Sequence, residues 1–250
     1  MTLLDPQNTF AYYGLGYLYY NQGNYDLARK NNEKVLEIDS NDVYAYNGLG
    51  ILYEKLGDYD KARQNFERAI ELDPKFVNAY YNLGVLYLEQ KNYDIARKNL
   101  ERAIELDPKY VNAYSVLGVL YKELGEYDIA RKNYERAIEL DPKNVKAYFG
   151  LGDLYYTQGD YDKARKNYDR AIELDPKYVD AYNGLGDLYS ELKNYDLAKK
   201  NYEKILEIDS NNVYAYNGLG DVYIILGDYD KAIKNYERAI ELDPKYVNAY

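Results

Sequence analysis

The chain has 250 residues, a formal charge of −10, and neither cysteine nor histidine. That excludes disulfides, thiol chemistry, Cys/His zinc sites and histidine acid–base catalysis, and the acidic balance argues against nucleic acid, which is bound through basic patches. No apolar run reaches membrane-spanning length and the start, MTLLDPQN, is no signal peptide, so we expect no membrane association and take the cytoplasm as the default compartment.

The chain is self-similar at a period of 34 residues, and a fixed period of that size marks a repeat architecture. Residues 1–8 fit the frame as the tail of a preceding repeat, because Leu4-Asp5-Pro6 matches Leu72-Asp73-Pro74. Seven full copies follow over 9–246, at 9–42, 43–76, 77–110, 111–144, 145–178, 179–212 and 213–246. Residues 247–250 open an eighth, so we read the chain as a piece of a longer array.

Each copy predicts two helices. In the second, Val43 to about Leu56 carries Tyr46, Leu49, Gly50 and Tyr53 on one stripe, a helical spacing. Gly57-Asp58 breaks it, and Asp58 is placed to cap the next helix. Tyr59 to about Leu72 follows, with Ala62, Phe66, Ala69 and Ile70 inward; it stops at Asp73, since a residue before proline disfavours helix. Glycine inside a helix costs roughly 1 kcal/mol against alanine, so helices holding Gly48-Leu49-Gly50 must draw their stability from packing. Asn recurs at position 23 of every copy (Asn31, Asn65, Asn99, Asn133, Asn167, Asn201, Asn235), where we expect a hydrogen-bonded ladder between neighbouring repeats.

Counting each copy from 1, positions 4, 11 and 17 are Tyr, 7 is Leu, 8 is Gly and 20 is Ala throughout. Position 24 is Phe66, Leu100, Tyr134, Tyr168, Tyr202 or Tyr236, with Asn32 the exception, and position 32 is Pro in five copies and Ser in two. This resembles the tetratricopeptide repeat, an aromatic-x-x-Leu-Gly-x-x-Tyr run, then Ala-x-x-x-Phe, then Pro, with Tyr in place of the usual Trp. The resemblance implies an all-α fold: a right-handed superhelical solenoid of helix-turn-helix repeats, with a concave groove lined by the first helices.

The candidate binding surface is the stripe opposite the inward one, at positions 2, 5, 6, 9, 12 and 13. Position 5 supplies Tyr13, Asn47, Tyr81, Phe149, Asn183 and Asn217. Position 9 supplies Tyr17, Ile51, Val85 and Val119, then Asp153, Asp187 and Asp221. Position 2 supplies Tyr44, Asn78, Asn112, Lys146, Asp180 and Tyr214. Position 6 is mostly Gly, a floor that admits another backbone, with Asn82 at the place where family members hold a ligand main chain.

The stripe is apolar and aromatic early and acidic late, which matches a ligand with apolar residues for one part and basic ones for the other. No catalytic constellation, cofactor motif or metal site emerges. Gly14-Leu15-Gly16 lies inside a helix, follows no strand and lacks a third glycine, so it is not read as a nucleotide loop. The expected function is a non-catalytic scaffold that binds a peptide segment or helix of a partner protein. One alternative is head-to-tail self-association through the two ends; another is the substrate-recruiting arm of an enzyme whose catalytic domain lies outside this sequence.

Overall fold

The computed structural model describes residues 8–245; the predicted repeat tail before Asn8 and the start of an eighth repeat at 247–250 lie outside them. Fourteen helices and no strands make up the described residues. In order they are α1 (Thr9–Asn21), α2 (Tyr25–Ile38), α3 (Val43–Lys55), α4 (Tyr59–Leu72), α5 (Val77–Glu89), α6 (Tyr93–Leu106) and α7 (Val111–Glu123). Then come α8 (Tyr127–Leu140), α9 (Val145–Thr157), α10 (Tyr161–Leu174), α11 (Val179–Glu191), α12 (Tyr195–Ile208), α13 (Val213–Ile225) and α14 (Tyr229–Leu242). They form two compact units, Met1–Leu120 and Tyr121–Tyr250, with the boundary inside α7.

The turns follow from local chemistry. Asp58 caps α4 by accepting from the Lys61 amide at 3.2 Å, as its position predicted. Gly57 before it takes a φ of +77°, the left-handed conformation that a β-carbon disfavours. Lys91 and Lys193 occupy the same place at φ 57°. At the other end of α4, Asp73 is extended and accepts from the Lys75 amide at 2.9 Å, fixing the Asp-Pro stop. The hydroxyl of Tyr46 donates to the Ser40 carbonyl at 3.3 Å and that of Tyr182 to Pro176 at 3.2 Å, and with Tyr80, Tyr114 and Tyr216 position 4 ties five first helices to the turn before them.

The core alternates small and large. Ala62, Phe66, Leu83 and Leu86 pack together in the N-terminal unit, and Ala164, Tyr168, Leu185 and Leu188 in the C-terminal one. The position-8 glycines are the seats for position 24. A Cβ on Gly50 would stand 2.4 Å from the Phe66 ring, and one on Gly186 2.4 Å from Tyr202.

Two expectations change. The position-23 asparagines do not bridge repeats: Asn65 donates to the Lys61 carbonyl and Asn167 to Lys163, each at 2.8 Å, and the other five do the same within their own helices. A short carboxamide reaches the free lone pair of the carbonyl four residues back more readily than a neighbour across a packed layer. Among the position-6 glycines only Gly14 is open floor. A Cβ on Gly150, Gly184 or Gly218 would lie 2.4–2.6 Å from the ring of Tyr134, Tyr168 or Tyr202 of the preceding repeat. The ring itself fills the space that the missing side chain leaves.

Candidate functional site

The first helices α1 and α3 present Tyr13, Tyr17, Tyr44, Asn47 and Ile51 to one cavity of about 310 Å³ in the N-terminal unit. Within the C-terminal unit, α9, α11 and α13 present Phe149, Asp153, Asp180, Asn183, Asp187 and Tyr214 to another of about 210 Å³. Positions 2, 5 and 9 line both, because three- and four-residue steps bring them to one helix face. Position 12 joins them as Tyr20 in the first and Tyr156 in the second.

The N-terminal cavity is aromatic and uncharged at its wall. Tyr13 and Tyr44 meet edge to face with centroids 6.3 Å apart. The Tyr13 hydroxyl donates to Asp42, which also caps α3 by accepting from the Ala45 amide at 2.9 Å. Burial, then this carboxylate, pushes the Tyr13 hydroxyl far above the usual phenol range.

The C-terminal cavity is acidic, but its carboxylates have internal partners. Asp153 is paired with Lys122. Asp187 accepts from Tyr202 at 2.7 Å and from Tyr214. Burial raises the Asp187 carboxyl above its ordinary value, against the pull of those two hydroxyls, with Asp153 and Asp221 adding repulsion. Asp221 is exposed and accepts from Tyr236, the position-24 ring of its own repeat.

The remaining predicted residues line neither cavity. Tyr81 packs on Tyr110 with centroids 5.3 Å apart, and Asn78 accepts from the Tyr110 hydroxyl at 2.9 Å. Asn82 donates to Asn47 at 2.8 Å, so this pair of predicted residues does meet. Val85 is half-buried, while Asn112, Val119 and Lys146 are exposed. Asn217 is buried, and its Oδ1, like that of Asn183, has no hydrogen-bond partner among the described residues.

Sequence reasoning missed four residues here. Tyr20 and Tyr156 sit at position 12, which the helical spacing already placed on the stripe. Asn32 signalled itself as the one polar residue at position 24, and it lines the first cavity. Glu54, also at position 12, has a buried Oε1 with no hydrogen-bond partner among the described residues, and burial together with Glu89 raises its carboxyl to about 7.

Two family models match, both described as tetratricopeptide repeat: one over residues 47–111, 86–125 and 115–179, the other over 8–75 and 178–245. No curated protein matches the sequence. Among solved structures, a chain of the APC/C hetero-tetramer Cut9-Hcn1 is similar at a TM-score of 0.79 and 18% identity, over 97% of this chain and 45% of that one. This chain thus spans less than half the length of that relative. A tetratricopeptide repeat protein from Parabacteroides merdae has a TM-score of 0.74 and 19% identity, over 97% of this chain and 96% of its own. MamA protein is 32% identical over 68% of this chain and 92% of its own, at a TM-score of 0.54.

Proposed function

Because the chain belongs to the tetratricopeptide repeat family, we propose that it is a protein-interaction module that takes peptide segments or helices of a partner on its first-helix stripe. Repeat proteins of this family are generally non-catalytic scaffolds, and that is our reading here. The carrying observation is that the two cavities, found in separate units, are lined from the same repeat positions, 2, 5, 9 and 12. The N-terminal face, with Tyr17 and Tyr44 largely exposed, suits apolar side chains. The C-terminal face, with Asp153, Asp180, Asp187 and Asp221, suits basic ones.

A peptide array drawn from the cognate proteome tests this, read with the parent and with Asp153→Asn/Asp187→Asn/Asp221→Asn, thermal melts alongside. We expect peptides mixing apolar and basic residues to bind the parent, and the folded triple variant to lose them most at low salt. Indifference to the substitutions would remove the basic half of the reading. An array with no binder would remove the reading itself.

A second reading has its own observation. Ile225, Tyr229 and Ile233 are 56%, 66% and 54% exposed on α13 and α14. The other six repeats carry only polar or charged residues at positions 13 and 21, where Ile225 and Ile233 stand. Phe10 and Leu18 are likewise exposed on α1. Head-to-tail association of copies would cover both surfaces.

A further inference from the structure

The rings at position 24 set a template. In the fifth and sixth repeats one ring occupies two glycine seats: a Cβ would come within 2.8 Å of Tyr168 from Gly152 and within 2.6 Å of it from Gly184. Tyr202 sits the same way between Gly186 and Gly218, at 2.4 and 2.6 Å. Gly16 of the first repeat and Gly48 of the second keep both seats, but position 24 between them is Asn32 where the ring would be. The Asn32 carboxamide stands in those seats, and the cavity of about 310 Å³ opens over it, larger than the one of about 210 Å³ that forms at the equivalent place over Tyr168.

Its floor is polar at one point. Asn32 is only 9% exposed, and its Nδ2 donates to the Ala28 carbonyl at 3.0 Å. Its Oδ1 lies 2.7 Å from where a Gly48 Cβ would stand and accepts no hydrogen bond among the described residues. The walls are Tyr17, Tyr20, Ile51 and Leu52, and no lining residue is charged. An apolar cavity of about 150 Å³ already holds a benzene ring.

We propose that this slot binds the phenol side chain of a tyrosine from a partner protein. The ring lies over the Asn32 carboxamide, among Tyr17, Tyr20 and Ile51, and the hydroxyl donates to Asn32 Oδ1. The uncharged wall selects against a cation or an anion. The acceptor at the floor favours tyrosine over phenylalanine, because only the phenol hydroxyl can donate to it. The inference rests on the first-helix stripe being the partner-binding surface.

The test titrates the full chain with p-cresol and with toluene, the side chains of tyrosine and phenylalanine, followed by calorimetry and amide chemical shifts. We expect saturable binding of p-cresol, weaker binding of toluene, and shifts centred on Tyr20 and Asn32. Asn32→Tyr should fill the slot from within, abolish binding and raise the melting temperature. Asn32→Leu, which copies Leu100 at the same position of the third repeat, serves if the tyrosine variant does not fold, and should also abolish binding. Absence of saturable p-cresol binding, binding retained in a folded Asn32 variant, or toluene binding as tightly as p-cresol would each overturn the assignment. The peptide array separates this from the wider reading. Peptides that bind without a tyrosine and survive Asn32→Tyr overturn the slot and keep the stripe. Binding of p-cresol with no peptide captured supports the slot's chemistry and overturns the stripe.

Discussion

At the scale of the residue, the same amino acid has opposite meanings two repeat positions apart. Gly14 and Gly50 are both glycines inside first helices, yet a Cβ on Gly14 would meet nothing within 4 Å, whereas one on Gly50 would stand 2.4 Å from the Phe66 ring. Gly14→Ala therefore gains helix propensity with no clash, and should stabilise by about 0.5–1 kcal/mol. Gly50→Ala forces a ring or a helix to move in a close-packed layer, and should destabilise by about 1–3 kcal/mol. Urea melts of the two variants decide it; equal effects would mean that the glycine seats do not constrain the packing. The Asn residues at position 23 teach a similar lesson. Their invariance along the chain is a property of each helix alone, since each bonds the carbonyl four residues back.

At the scale of the element, α3 carries a titration. Glu54 faces Tyr20 of α1 and both Tyr81 and Glu89 of α5. Burial, then Glu89, raises its carboxyl from an ordinary 4.5 to about 7. The folded state thus binds more protons than the unfolded state between those values, so this group's contribution to stability falls as pH rises through the window and is flat outside it. Glu54→Gln removes the group. The stability of the variant relative to the parent should be level below about 4.5, climb through the window and level off above about 7. Parallel pH profiles for parent and variant would show that the carboxyl is solvated. The helix boundaries at this scale were legible in advance: α4 begins after Asp58 and ends before Asp73 because an N-cap and an Asp-Pro pair act locally.

At the scale of the whole molecule, the apolar surface of α13 and α14 makes a prediction about mass. Ile225→Glu/Ile233→Arg restores the side chains that other repeats use at those positions, as Glu191 and Arg165 do. If copies associate head to tail, light scattering should show the parent's mass growing with concentration and the double variant holding at one chain. A parent that stays at one chain at high concentration ends that reading. The candidate stripe was partly legible too. Spacing placed Tyr17, Ile51, Asp153 and Asp187 on one helix face, and each of them lines a cavity. Spacing could not say that Lys122 pairs with Asp153, or that Tyr202 and Tyr214 both donate to Asp187, since those partners lie 15 to 31 residues away in sequence.

By itself the sequence determined the period, the family, the helix pairs and the face that each first helix presents, because caps, proline stops and helical spacing are all set within a few residues. Only the tertiary structure decided which glycines are seats and which are free, which acids are already engaged, and that Asn32 lines a cavity. Those outcomes depend on the distance between a side chain and a neighbour on another helix, in the same repeat or the next, and helix packing fixes that distance.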